Sequence, residues 1–337
     1  MKAISTIIAT ILLVVITIGL VSSAYLFVGG ILTGSISKII SLVNAKAHRV
    51  VVRNDGTDTI ASDEISVSVN SQEVVPINPQ DIEPQDTVTL RFVPPELDMR
   101  SAKVVVLGPS NTLSYTTDIV PHESRVTSDT IGLWYFNSVN ASDYTLDESS
   151  YHNDGLLTNM DPATDLVEGR FSQALEFDGS NDYVNVADSP SLDISGNQIS
   201  IESWFKTSKV HDGAIVWKSY STYNPTYGFS YFGSVYGSII GRITNSTGDT
   251  KSVGFGWVAD GQWHHLVMTY NGSVINLYMD GKLKTSTTLN GNILPFTSNV
   301  IMGDRETDHM YFNGTIDEVH ILNRALTQEE ILDGIYG

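Results

Sequence analysis

The sequence predicts a mainly β protein: a long hydrophobic helix at the N-terminus, then a small antiparallel β-sandwich, then a larger one. Three observations lead there. Residues 3–37 contain no Asp, Glu, Lys, Arg or His. From residue 49 onward, hydrophobic side chains recur at every second position, the period of a strand with one face buried. Between those runs stand Gly, Asn, Asp and Pro, the residues that antiparallel turns require.

The 337 residues are too many for one ordinary domain. There is no cysteine, which excludes disulfides, a thiol nucleophile and thiolate metal sites. Nineteen Lys and Arg stand against 38 Asp and Glu, a net charge of −19. A duplex-binding surface must neutralise phosphates, so nucleic acid is not an expected partner. The acid is concentrated late: residues 46–125 hold 7 basic and 12 acidic side chains, and residues 126–337 hold 10 and 26. Such a surface suits salty surroundings or the collection of cations.

The first element is the uncharged run. About 20 apolar residues span a bilayer, and this run has a surplus. A helix over residues 4–45 is roughly 60 Å long, twice the hydrocarbon thickness. Its first half reads as uniformly apolar. Its second half mixes Ser35, Ser37, Lys38 and Ser41 with Ile36, Ile39, Ile40, Leu42 and Val43, a pattern for lying against a globular domain. Gly19, Gly29, Gly30 and Gly34 allow close helix approach. A cleaved secretory signal would end at Ser22-Ser23-Ala24, a poor site, and a plain signal anchor would keep the span. The start, Met1-Lys2-Ala3-Ile4-Ser5-Thr6-Ile7-Ile8-Ala9-Thr10, resembles archaeal type IV pilin-like subunits. That resemblance implies a three-residue leader (1–3) removed by a prepilin peptidase reading Lys2 and Ala3, with Ile4 as the mature N-terminus. It also implies copies of the chain assembled through the helix into a filament, and a membrane anchor before assembly.

Residues 46–125 read as a small β-sandwich. Arg49–Asn54 enters the turn Asn54-Asp55-Gly56, and runs at 65–69, 87–92 and 103–107 follow, each bounded by Pro, Gly or Asn. The pattern resembles the immunoglobulin-like heads of archaeal pilins and flagellins, which implies a spacer or packing domain.

Residues 126–337 form the last expected domain. The segments Gly132-Leu-Trp-Tyr-Phe136, Leu146-Asp-Glu-Ser-Ser150, Ala174-Leu-Glu-Phe-Asp-Gly179, Gly261-Gln-Trp-His-His265 and Thr315-Ile-Asp-Glu-Val319 occur in this order. They resemble the laminin-G-like, concanavalin-A-like modules, which implies a jelly roll of two curved antiparallel sheets. Period two agrees: Ile199, Ile201, Ser203 and Phe205 share one strand face, and Ser200, Glu202, Trp204 and Lys206 the other. Asp280-Gly281 supplies a hairpin turn, and Thr327-Gln-Glu-Glu330 is a capping box for a short last helix that Gly334 closes.

The same resemblance implies a structural Ca²⁺ held by Asp317, with Asp147 and Asp178 as partners; calcium takes six to eight oxygen ligands. The stretch 217–236 is rich in Tyr, Ser, Gly and Asn, suited to sugar stacking or a protein contact, which makes Tyr220, Tyr223 and Tyr227 candidate binding residues. His264 and His265 are adjacent on a strand, so they face opposite ways and cannot chelate one ion together; the resemblance to the laminin-G-like modules implies a packing role for Trp-His-His. Asn140, Asn245, Asn271 and Asn313 stand in Asn-x-Ser/Thr triplets, candidate glycosylation sites. The paired-carboxylate string of glycosidases on this fold, Glu-x-Asp-x-x-Glu, is absent, as are His-Glu-x-x-His, Gly-x-Ser-x-Gly and a Walker loop.

The function expected is that of an archaeal cell-surface, pilin-like subunit or adhesin without catalysis, presenting its last domain to an extracellular glycan or surface protein. Two other readings stand beside it: a non-polymerising membrane-anchored binding module, and a polysaccharide hydrolase or lyase.

Overall fold

The computed structural model describes residues 37–46, 49–77, 79–92, 101–118, 125–210, 212–219, 221, 224–232, 237–256, 258–305 and 309–336. The chain divides into two compact units, one within Met1–Ile119 and one within Val120–Gly337.

The first unit has seven described strands in chain order: β1 (Ile40–Lys46), β2 (Arg49–Asn54), β3 (Ser66–Val69), β4 (Gln72–Val74), β5 (Thr87–Arg91), β6 (Ser101–Leu107) and β7 (Thr112–Asp118). They form one sheet in the order β1-β2-β5 and another in the order β4-β3-β6-β7, with antiparallel neighbours. Alternation decides which side chains are inside: Val50 and Val52 of β2, Val67 and Val69 of β3, and Val88 and Leu90 of β5 are buried.

Here the helix expected over residues 4–45 is corrected. Ile40–Lys46 is a strand, paired residue by residue with Arg49–Asn54. The segment is tied down by groups distant in sequence. Asn111 accepts the Ile40 N–H through Oδ1 at 3.0 Å and donates to its carbonyl at 2.7 Å. The Ser37 carbonyl accepts the N–H groups of Thr57 and Asp58. Lys38 meets Glu64 at 2.6 Å. Ile40, Leu42 and Val43 fit a helical face and a strand about equally well, and the β-branched pair is stiff in a helix; the waiting edge of β2 decides. Lys2, Ala3, Ile4 and the apolar run up to residue 36 lie outside the described residues. Among the described residues the two α-helices are short, and no helix is long and apolar enough to cross a membrane.

The second unit is a sandwich of two sheets. Its strands are β8 (Thr130–Trp134), β9 (Tyr144–Thr145), β10 (Gly155–Thr158), β11 (Leu166–Glu168), β12 (Gln173–Asp178), β13 (Tyr183–Val186), β14 (Ile199–Lys206) and β15 (Gly213–Ser219). They continue with β16 (Pro225–Phe232), β17 (Ser238–Thr244), β18 (Thr250–Phe255), β19 (Trp263–Tyr270), β20 (Val274–Met279), β21 (Lys282–Thr288), β22 (Val300–Met302) and β23 (Asn313–Leu322). Helix α1 (Pro162–Asp165) precedes β11, and α2 (Gln328–Tyr336) ends the unit. One sheet runs β18-β17-β16-β15-β22-β13-β10-β9; the other runs β11-β12-β23-β14-β19-β20-β21, with β8 paired to β23. Their inner faces share one core, including Phe177, Val184, Ile201, Phe205, Tyr227, Phe229, Met268 and Ile316.

Local signals in this unit fold as their chemistry dictates. Asp280 and Gly281 both have positive φ, 55° and 72°, and close the β20–β21 hairpin. Thr327 Oγ1 accepts the Glu330 N–H while the Glu330 carboxylate accepts the Thr327 N–H, a reciprocal cap for α2. Gly334 lies inside α2 rather than closing it.

Candidate functional site

The three carboxylates expected around a metal each accept hydrogen bonds from the chain itself. Asp147 is buried, and its oxygens accept the N–H groups of Leu133, Ser149 and Asn153 and the Ser149 hydroxyl, at 2.6–2.9 Å. Asp178 accepts the N–H of Ser180 at 2.7 Å and so shapes a turn. Asp317 Oδ2 accepts the N–H groups of Arg170 and Phe171. Asp178 stands opposite Asn313 at one end of β23, four residues from Asp317, which at about 3.4 Å per residue is about 14 Å. Among the described residues no three His, Asp or Glu side chains are grouped to hold a metal ion. Backbone donors hold Asp147 and one oxygen of Asp317, while Asp317 Oδ1 is buried without a hydrogen-bond partner, and the three carboxylates do not converge on one point.

The expected ligand-facing tyrosines fare similarly. Tyr227 is fully buried and its hydroxyl donates to the Leu192 carbonyl at 2.9 Å. Its position on β16 places it on the inner face, which corrects the expectation that it meets a ligand. Tyr220 and Tyr223 lie outside the described residues. Of the four glycosylation candidates, Asn140 and Asn271 are exposed. Asn245 is buried; its amide donates to the Asn290 carbonyl while its oxygen accepts from Thr247 and Asp249. The Asn313 amide donates to the Asp178 carbonyl. Asn245 and Asn313 therefore do not present free amides, against expectation.

His264 and His265 do face opposite ways. His264 contacts Asp280 and Asp260 at 3.0 and 3.1 Å. His265 lies against Trp204, ring centroids 5.0 Å apart, with Nε2 3.5 Å from Glu202.

Two polar features were not foreseen. The first is a buried charged layer on the outer face of the sheet containing β14 and β23. Glu202 has no exposure, and Arg125 forms an ion pair with it. His320 bonds Glu202 through Nδ1 and Thr130 through Nε2. A bulge in β23 makes this possible: Glu202 stands opposite His320 and Trp204 opposite Asp317, so Asp317 and His320, three apart, reach one face. Glu318 sits in the bulge with φ 53°. Burial works to raise the Glu202 pKa, but Arg125, His265 and His320 outweigh it and hold the carboxyl well below its ordinary value. Burial pushes Asp317 up to about 7, and burial beside Asp317 pushes Glu318 up to about 9. Burial also lowers the His320 pKa.

The second feature is a cleft of about 390 Å³ at one end of the sandwich. Ser191, Ser195, Asn197 and Gln198 from the β13–β14 connection face Tyr151 and Asn323 across it. Tyr151 is 47% exposed, and residues 195–198 and Asn323 are also exposed. Amides and hydroxyls beside one open aromatic ring can donate and accept several directed hydrogen bonds around a stacked apolar face.

Two sheets joined by long connections, with both inner faces apolar, are a jelly-roll-type sandwich, and the sequence carries the same assignment. Residues 178–332 match the concanavalin A-like lectin/glucanase superfamily. Solved structures similar to the chain are of low identity to it. The binding domain of Paraclostridial Mosquitocidal Protein 1 is 17% identical with a TM-score of 0.48, covering 61% of this chain and 52% of that one. The receptor binding domain of botulinum neurotoxin C/D mosaic serotype gives the same identity and TM-score, over 61% and 51%. Domain 4 of AbnA, a GH43 extracellular arabinanase from Geobacillus stearothermophilus solved with arabinotriose, is 18% identical, TM-score 0.47, over 62% of this chain and 98% of that domain. The chain spans about half the length of the toxin domains it matches. No curated protein matches the sequence.

Within the concanavalin A-like domain, the sequence signal for the cleft was weak. Its polar side chains come from three separate loops, and a run such as Ser195-Gly196-Asn197-Gln198 reads as an ordinary turn. The buried layer was hidden because period two puts residues 317 and 320 on opposite faces until the bulge is known.

Proposed function

We propose that the chain is a non-catalytic surface protein that binds a glycan through the cleft of its concanavalin A-like domain. The cleft carries the reading: Tyr151 offers a ring, and Ser191, Ser195, Asn197 and Asn323 surround it with neutral hydrogen-bonding groups. That chemistry suits a polyhydroxylated, uncharged ligand or the polar face of a partner protein. The superfamily match of residues 178–332 supports a lectin-type role. The absence of the paired-carboxylate string supports binding without hydrolysis. So does the internal use of Glu202, whose ligands are side chains of the chain itself.

The rest of the proposal concerns display. The uncharged run of residues 3–37 and the Lys2-Ala3-Ile4 start support an archaeal, pilin-like adhesin, processed after Ala3 and held at the cell surface through that run, alone or assembled with further copies. Exposed Asn140 and Asn271 suit glycosylation there.

Two measurements test this. Calorimetry of the full-length protein against neutral oligosaccharides should give binding that weakens about tenfold in Tyr151→Ala and in Asn197→Ala, roughly the 1.4 kcal/mol of one or two directed contacts. Binding unchanged in both variants would remove the cleft as the site. Terminal sequencing of protein from native cells should begin at Ile4; a start at Met1 or Tyr25 would overturn the pilin-type processing.

A further inference from the structure

The cleft at the end of the second sandwich joins two surfaces of different chemistry. Its floor is aliphatic: Ile131 of β8 and Ile194 of the β13–β14 connection belong to the core and are 2% and 6% exposed, with Pro190 beside them. Its rim is polar, built from Ser191, Ser195, Asn197, Gln198 and Asn323 around the Tyr151 ring. Among the described residues, no charged side chain lines it. At about 390 Å³ it lies near the low end of ligand clefts, about 300–1,000 Å³.

Some rim groups are engaged within the chain and others are open. Gln198 Oε1 accepts the Ala325 N–H at 3.3 Å, and Ser191 Oγ meets Ser189 Oγ at 3.0 Å and Asn153 Nδ2 at 3.1 Å. Ser195, Asn197 and Asn323 are exposed, and among the described residues no hydrogen bond of the chain occupies their side chains or the Tyr151 hydroxyl. The Asn197 amide is nevertheless held in place. A Cβ on Gly272 would come within 2.8 Å of its Nδ2, and Gly272 has φ 90°, so the β19–β20 turn keeps bare backbone beneath that amide.

The walls are fastened to one another. Buried Asn153 donates through Nδ2 to the Ile131 carbonyl at 2.9 Å as well as to Ser191. The Ser149 hydroxyl donates to Asp147 at 2.6 Å and accepts the Tyr151 N–H at 3.2 Å. The Gly196 carbonyl accepts the Ile293 N–H at 2.8 Å. A cleft fixed this way loses little freedom when a ligand enters.

A pyranose ring offers an apolar face to Tyr151, but its edge is hydroxylated, and a hydroxyl gains nothing against Ile131 and Ile194. The ligand that complements both surfaces carries a methyl group on a neutral polar stem. An acetamido group has that form: a methyl for the floor, a carbonyl that accepts and an N–H that donates, the two roles a side-chain amide returns. We propose that the glycan taken by this cleft is an N-acetylated hexosamine, its methyl on Ile131 and Ile194 and its amide bonded to Asn197 or Asn323. The proposal rests on the glycan reading of the cleft given above. A cationic amino sugar would find no carboxylate in the lining, and an acidic sugar would find no cation. A 6-deoxy sugar brings the methyl but leaves both open amides to water.

The test is NMR titration of full-length protein with matched sugars: glucose, galactose and mannose, each beside its 2-acetamido counterpart, together with fucose and rhamnose. At least one N-acetylated sugar should bind tenfold or more tightly than its partner, about 1.4 kcal/mol. The N-formyl analogue of that sugar, which lacks the methyl, should lose at least threefold. The preference should shrink at least threefold in Asn197→Ala or in Asn323→Ala, both at exposed positions that the fold does not use. A preference below tenfold in every pair overturns the proposal, as does one kept in both variants, an N-formyl analogue bound equally well, or tighter binding of a deoxy sugar. If the two members of a pair bind alike and both weaken in Tyr151→Ala, the acetamido assignment alone falls and the glycan reading stands. If no sugar binds, or Tyr151→Ala and Asn197→Ala both leave binding unchanged, the two fall together.

Discussion

His320 and Glu202 meet inside the second unit from positions 118 residues apart, with Nδ1 of the imidazole 3.1 Å from Oε1 of the carboxylate. The second ring nitrogen reaches Thr130 Oγ1 at 3.0 Å, and Arg125 completes the pairing of Glu202. This contact ties the β14–β23 ladder to β8 and to the segment entering the unit. A Cβ on Gly334 would come within 2.7 Å of Arg125 Nη2, so helix α2 leaves room for the guanidinium to reach inward.

Truncating Arg125 strands the buried Glu202 charge, while truncating His320 leaves that ion pair in place. Arg125→Ala is expected to destabilise the second unit by about 3–5 kcal/mol, the range for breaking a buried pair, whereas His320→Ala removes a neutral partner and costs about 2–3 kcal/mol. Urea unfolding followed by tryptophan fluorescence checks both. Equal, near-zero effects would mean the layer is solvated.

Stability should fall as pH rises above the ordinary carboxylate range, and fall again in acid below it. Glu318 and Asp317 have folded-state pKa values raised to about 9 and about 7. Between the ordinary carboxylate range and those values the folded state holds protons that the unfolded state has released, so stability declines as pH rises, at up to about 1.4 kcal/mol per pH unit for each group. Glu202 and His320 are shifted downward. There the unfolded state takes up protons first, so stability declines as pH falls. Glu318→Gln should raise Tm at pH 8–9 relative to the parent and leave the acid side unchanged. A parallel pH profile in the variant would contradict the assignment.

Calcium chelation is expected to leave Tm unchanged, because Asp147, Asp178 and Asp317 already accept protein donors. Asp147→Ala, by contrast, strands three N–H groups and a hydroxyl and should cost about 3 kcal/mol or more. Thermal melts with and without chelator, on parent and variant, separate these outcomes.

Glycan occupancy should follow exposure. Peptide mapping of protein from its native cells is expected to find modified Asn140 or Asn271 and unmodified Asn245, whose amide is bound to the Asn290 carbonyl within the fold. A modified Asn245 would require that the loop be glycosylated before it folds.

By itself the sequence determined what depends on a few neighbouring residues. Period two located most strands of the second unit, Asp280-Gly281 closed its hairpin through positive φ, and Thr327 with Glu330 capped the last helix. The opposed faces of His264 and His265 followed from the strand itself. Such features rest on backbone preferences and short loops, whose energetics are settled within a turn or two. The tertiary structure decided the rest. Ile40–Lys46 became a strand because β2 and Asn111 were there to pair with it. Asp147 and Asp317 became anchors for backbone N–H groups, a role no motif announces. A single bulge at Glu318 reversed the facing of His320 and placed it on Glu202. Each of these contacts joins residues far apart along the chain, and local preference carries no information about which distant partner will occupy a given place once the core closes.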